Sequence, residues 1–521
     1  MHGWSRSVAP PARSRALPER GAGILLHPTS LPGRFGVGDL GPAADAFLTW
    51  AADAGQSVWQ MLPVGPTGPS HSPYVGLSVF AGNPLLVSPE RLVEDGLLRG
   101  SAVARPPAFR PDHAEFDRAA AWKDAVLRAS WDRFRTHGGP ALREAFQAFR
   151  AAPEQAAWLD DFTLFMALRL HYAGRSWSSW EQGIRRREPE ALRRARRALA
   201  GEVAYQTYLQ FLFDRQWRGM KGEAERLGIR LFGDLPIYVA HDSADVWVRQ
   251  DLFALDAEGR ATAVAGVPPD YFSATGQRWG NPLYRWDRLE AEGYAWWIER
   301  VRANLGRCDL LRVDHFRGFA GYWEIPGRAE TAIEGRWVDG PGVRLFDALR
   351  TALGDLPLVA EDLGHITPDV RELRKTLGIP GMRVLQFAFD GSPNNPHLPR
   401  RHEPDCAVYT GTHDNDTVRG WFDGLDDGTR RRALEETGGA PETIAWDMIR
   451  AAYRSVGFLA VVPLQDVLGL GGEARFNVPG VAEGNWTWRA DAGALGPEGA
   501  SRLASLVREA ARGRSPADSP S

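Results

Sequence analysis

The sequence predicts an α/β fold, a (β/α)8 TIM barrel with inserted, mainly helical subdomains. Eight short apolar runs each finish in polar residues, and most are followed by a helical pattern. Eight is the number of strands that closes a barrel of this kind. No repeat of 20–50 residues is visible, which disfavours solenoids and propellers. A doubly wound open sheet is the alternative, but no G-x-G-x-x-G immediately follows a strand run to support a dinucleotide site.

In chain order the runs are GILL (23–26), SVWQML (57–62), IRLFGDLPIYV (229–239), LLRVDHF (310–316), LVAEDL (358–363), MRVLQFAF (382–389), AVYTGTHD (407–414) and LAVVPLQD (459–466). Between the second and third, AAWKDAVLRASWDRF and YQTYLQFLFDRQW have helical periodicity, so helical subdomains are expected at about 85–226. The arginines of GIRRREPEALRRARRALAG alternate with glutamates at helical spacing, which reads as a solvated face rather than a nucleic-acid site. YAWWIERVRANLG (294–306) predicts a helix ending in glycine before the fourth run. After LVAEDL, Thr367 suits an N-cap, Pro368 the first helical position and Asp369 the dipole, with Gly378 ending the helix. The barrel is expected over 21–513, with a basic disordered arm at 1–20 and a disordered tail at 514–521.

Composition narrows the function. The chain has 521 residues, 44% hydrophobic and 24% charged, as in a globular protein with ample core. A formal net charge of −3 supplies no global field for nucleic acid or an anionic membrane. No apolar run approaches the roughly 18 residues of a membrane span, and the N-terminus lacks the hydrophobic stretch of a secretory signal. Cys308 and Cys406 precede strand-like runs and read as free core thiols, so a cytoplasmic location is expected. Twenty tryptophans suit core packing, and some could also lie against pyranose rings.

Barrel chemistry sits where strand C-termini meet the following loops. Three runs end there in acids: Asp314, Glu361 and Asp414. Strand pleating places Arg312 and Asp314 on one face, where the guanidinium can hold a carboxylate ionised; a structural ion pair would look the same locally. H-E-x-x-H, C-x-x-C, the G-x-S-x-G elbow and the G-x-x-x-x-G-K-[ST] phosphate loop are all missing from the sequence, so no metal site is expected. Carboxylate-only chemistry leads, and its commonest form is glycosyl transfer.

Nine stretches in order match one family: GILLHPTSLPGRFGVGDLG, SPYVGLSVFAGNP, FGDLPIYVAHDSADVW, GVPPDYFSATGQRWGNPLY, LRVDHFRGF, VAEDLG, GTHDNDT, EARFNVPG and NWTWR. Over residues 23–489 the chain resembles the amylomaltases, the 4-α-glucanotransferases (disproportionating enzymes) of glycoside hydrolase family 77 in the α-amylase-like clan. The resemblance implies Asp314 as nucleophile, Glu361 as general acid and then base, and Asp414 as transition-state stabiliser. It implies that Arg312 holds the nucleophile, that His413 and Asn415 of THDN bind sugar, and that Asp234 shapes the site. Tyr74 is a candidate sugar platform. A lid loop at about 265–284 would offer Tyr271, Phe272 and Trp279. Asp362 beside Glu361 is the confounder, with loop hydrogen bonding or helix capping as its other use.

The implied partners are an α-1,4-glucan donor and a glucose or maltooligosaccharide acceptor, without cofactor. The sequence sets no oligomeric state. Val75 and Gly76 replace the family's usual glutamine and serine, and Phe476 its methionine. A glucan hydrolase on the same scaffold and a non-catalytic glucan-binding protein are the competing functions.

Overall fold

The computed structural model describes residues 20–269, 273–364 and 366–512. In chain order its strands are β1 (Gly21–Leu25), β2 (Val58–Gln60), β3 (Arg230–Leu235), β4 (Ala263–Val267), β5 (Gln277–Pro282), β6 (Leu310–Val313), β7 (Gly321–Pro326), β8 (Arg336–Asp339), β9 (Leu358–Ala360), β10 (Gly381–Val384), β11 (Cys406–Tyr409) and β12 (Leu459–Pro463). All eight apolar runs become parallel strands of one sheet, in the order β10-β11-β12-β1-β2-β3-β6-β9. Every strand after β1 is shorter than its run. The chain leaves the ladder where polar residues begin, as at Val313 before Asp314 and Ala360 before Glu361.

The barrel wall is close-packed. Ile24, Val58, Trp59, Leu231, Leu311, Val359, Val408 and Val461 are fully buried. Gly23 faces Val58 across the β1–β2 pair, and a Cβ there would lie 2.8 Å from the Val58 carbonyl oxygen. The two end strands of the sheet, β9 and β10, are joined by the Ala360 N–H donating to the Pro380 carbonyl at 2.8 Å.

Helices fill the stretch between β2 and β3, including Phe116–His137, Leu159–His171 and Ala200–Leu227. The arginine-rich stretch forms the helix Pro189–Ala198. Glu190 pairs with Arg193 there, and Arg196 reaches Asp161 at 2.9 Å. Phe116–His137 is tied to the loop after β1 by Lys123, whose Nζ lies 2.9 Å from Asp39 Oδ2 and also donates to the carbonyls of Leu85 and Val87. Both ionic partners are buried. Removing one member of a buried pair strands the other charge without water. Lys123→Met is therefore expected to destabilise the fold by about 3–5 kcal/mol, seen as a lower thermal denaturation midpoint.

A second, antiparallel sheet in the order β5-β4-β7-β8 stands beside the barrel. The stretch expected as a loop at about 265–284 holds the end of β4, the strand β5 and the connection between them. That connection includes Asp270, Tyr271 and Phe272, which lie outside the described residues. These strands lacked a sequence signal because glycine, proline and charged residues interrupt any alternation. The helix at 295–307 extends one residue past Gly306. The later helix begins at Pro368 with Thr367 in the cap position, although its side chain makes no capping bond; Gly378 follows at φ +60°. Cys308 and Cys406 are free and buried. The expected terminal arm and tail lie outside the described residues except Arg20, which donates to the Ser455 and Ala510 carbonyls.

Candidate active site

Arg312 sits on β6 in register with Asp234 on β3. One guanidinium nitrogen, Nη1, donates to Asp234 Oδ2 at 2.7 Å, and the other, Nη2, lies 2.8 Å from Asp314 Oδ1. The Tyr74 hydroxyl also donates to Asp234 Oδ2, at 2.7 Å. One cation therefore bridges two carboxylates, as two-pronged arginine geometry allows. The carboxylates differ in access. The Asp234 side chain is 0% exposed, whereas that of Asp314 is 27% exposed. Burial pushes the Asp234 carboxyl upward against the pull of Arg312. Asp314 is the member open to the cleft, and Asp234 and Tyr74 hold Arg312 from behind.

Glu361 follows β9, the strand paired with β6. Val313 and Ala360 are register partners, so Asp314 and Glu361 emerge from matched positions on strands about 4.8 Å apart. Backbone donors aim the Glu361 carboxyl: the His315 N–H reaches Oε2 and the Leu363 N–H reaches Oε1, each at 2.8 Å. His315 adopts a left-handed φ of 49°, which is uncommon for a side chain of its size and turns the chain so that its N–H can serve Glu361. Burial pushes the Glu361 carboxyl up to about 7, Arg312 and the two N–H donors oppose the rise, and the Asp314 charge adds to it. A carboxyl with those surroundings can hold and release a proton near neutral pH.

Asp414 enters from the loop after β11. Its Oδ1 accepts from Asn477 Nδ2 at 2.6 Å, and its carbonyl accepts from Arg475 at 2.8 Å. His413 Nε2 lies 3.3 Å from Asp414 Oδ2, and the His413 ring stacks on Tyr74 with centroids 5.2 Å apart. Trp486 packs against both rings, at 6.0 and 6.1 Å, with Phe476 edge-on behind it at 5.5 Å. Asn415 Oδ1 accepts from both the backbone N–H and the hydroxyl of Thr412, so this oxygen shapes the loop.

The fold thus brings together Asp314, Glu361, Arg312 and Asp234, and sets Tyr74 with His413 and Asp414 beside them. Trp279, on β5, is 39% exposed and meets the His315 ring edge-on at 4.8 Å. Tyr271 and Phe272 lie outside the described residues. Sequence reasoning nominated neither Asn477, Arg475 nor Trp486. Their stretches, EARFNVPG and NWTWR, were visible, but the chain in between gives no sign that they fold back onto Asp414. The backbone donors of His315 and Leu363 have no side-chain signature at all.

Three carboxylates, an arginine and aromatic faces gathered at the C-terminal mouth of a (β/α)8 barrel define the class of barrel enzymes that act on glycosidic bonds. The family model described as 4-alpha-glucanotransferase matches residues 26–493. The 4-alpha-glucanotransferase of Thermus thermophilus is 49% identical over 501 residues, 95% of this chain and 99% of that protein. The Synechocystis enzyme of that name is 51% identical over 477 residues, 91% of this chain and 94% of that protein. The Streptococcus agalactiae amylomaltase, solved in complex with acarbose, superposes with a TM-score of 0.92 at 34% identity, covering 95% of this chain and 100% of that one. The chain belongs to glycoside hydrolase family 77, the 4-alpha-glucanotransferases.

Proposed function

We propose that transfer runs by retaining double displacement on α-1,4-glucans, with Asp314 as nucleophile and Glu361 as acid/base. In the first half, an Asp314 carboxylate oxygen attacks C1 of the donor sugar as the C1–O4 bond breaks. Glu361 gives its proton to the departing O4, and a β-linked glycosyl-aspartate forms. In the second half, ionised Glu361 takes the proton from an acceptor 4-hydroxyl. That oxygen attacks C1, the bond to Asp314 breaks, and an α-1,4 linkage is restored. Asp414, held by Asn477 and flanked by His413, is placed to grip donor hydroxyls as positive charge develops on the ring.

Arg312 carries this assignment. It lies 2.8 Å from Asp314 while Asp234 and Tyr74 occupy its other side, so the exposed carboxylate is kept charged and aimed. The matched strand ends of Asp314 and Glu361 suit the carboxyl separation of about 5–5.5 Å that retaining chemistry uses. Trp279 beside His315 offers an apolar face on which a glucan can rest while water is limited at the intermediate. We assign the enzyme to the cytoplasm, in keeping with its two unpaired buried thiols.

Maltotriose tests the choice between transfer and hydrolysis. The expected products are glucose and a ladder of longer maltooligosaccharides, with nearly constant reducing ends. Steadily rising reducing ends without longer sugars would instead establish a hydrolase.

A further inference from the structure

Glu361 and Asp362 are consecutive carboxylates with different partners. Glu361 is half-buried, with its carboxyl held by the His315 and Leu363 N–H groups. Asp362 is almost wholly buried, at the join where β9 meets β10 without a ladder. Ala360 supplies one cross-strand bond there, to Pro380. Two residues on, a backbone carbonyl would ordinarily accept the next N–H. Asp362 Oδ1 takes that place, accepting from the Met382 N–H at 2.7 Å.

The other oxygen faces two guanidinium groups. Arg374 Nε lies 3.4 Å from Asp362 Oδ2, and Arg383 Nη1 lies 3.6 Å from it. Arg374 belongs to the helix that follows the Glu361 loop and also donates to the Ile379 carbonyl and to Asp405. Gly381 leaves room for the carboxylate, since a Cβ there would lie 2.4 Å from Asp362 Oδ2. The β6 side is secured separately: the Glu361 N–H donates to Val313 and its carbonyl accepts from Phe316. The main chain at Glu361 is therefore clamped by backbone on one side and by the Asp362 side chain on the other.

We propose that Asp362, braced by Arg374 and Arg383, is a positioning residue that holds Glu361 in line with the glycosidic oxygen. The proposal rests on Glu361 as acid/base. A carboxyl at the end of a three-residue strand has little else to fix it from the β10 side. Displacement of a catalytic group by about 1 Å can cost about 100-fold in rate.

Two donors separate misalignment of the acid from general damage. Maltotriose needs its leaving oxygen protonated, whereas α-maltosyl fluoride loses fluoride without an acid. Asp362→Asn keeps an acceptor for Met382 but removes the charge facing the arginines. It is expected to lower kcat with maltotriose by about 10–100-fold, with KM little changed and first-turnover fluoride release from α-maltosyl fluoride close to wild type. Equal losses with both donors, or an undiminished maltotriose rate, would overturn the proposal. Arg383→Gln, which leaves Asp362 in place, should show a smaller split of the same kind and decides the matter if Asp362→Asn does not fold. Glu361→Gln is run beside them. If it slows both donors alike, the acid/base assignment fails, and the proposal with it. If it shows the split and neither Asp362→Asn nor Arg383→Gln does, the positioning role alone fails.

Discussion

Asp314→Asn is expected to lower transfer from maltotriose by on the order of 10⁴-fold or more, leaving no ladder of longer sugars, while binding of maltooligosaccharides persists. An asparagine keeps an oxygen that can accept from Arg312 Nη2, so the bridge to Asp234 need not collapse. The neutral amide cannot act as the anionic nucleophile that forms the glycosyl-enzyme. Binding should survive because Tyr74, His413 and Asp414 lie on other elements. Product analysis and calorimetric titration with a maltooligosaccharide measure the two halves. A retained ladder would remove Asp314 from the nucleophile's role.

Glu361→Gln is expected to cost about 10²–10⁴-fold with maltotriose, the usual worth of a general acid/base, and to change the pH profile. In the wild type, burial raises the Glu361 carboxyl to about 7. The first half-reaction needs the proton, so kcat/KM should fall as pH rises through that value and the carboxyl ionises. Glutamine does not titrate, so this alkaline limb should vanish in the variant. Initial rates across pH 5–9 test both effects. A wild-type limb surviving in the variant would assign the proton to another group.

Much of this site was legible because its residues are bound to strand ends. LLRV, LVA and AVY are apolar enough to be barrel wall, so the acids beyond them had to meet the cleft mouth. Pleating put Arg312 and Asp314 on one face, and the structure joins them at 2.8 Å. The confounding pair Glu361–Asp362 was not separable by sequence position. What separates them is where each carboxyl goes: one onto the His315 and Leu363 N–H groups, the other onto Met382 and two arginines. The second sheet was missed because glycine, proline and charged residues interrupt its strands, which take their order from pairing with each other.

The sequence by itself determined the barrel, its eight strands in chain order and the three acids at its mouth. Those features follow from local patterns of apolar and polar residues, which a single chain displays directly. Only the tertiary structure decided which groups share a charge or a proton. Asp234 stands 78 residues from Arg312, Asn477 63 from Asp414, and Met382 20 from Asp362. Burial and charge act through space, so the state of each carboxyl is set by neighbours that distance along the chain does not reveal.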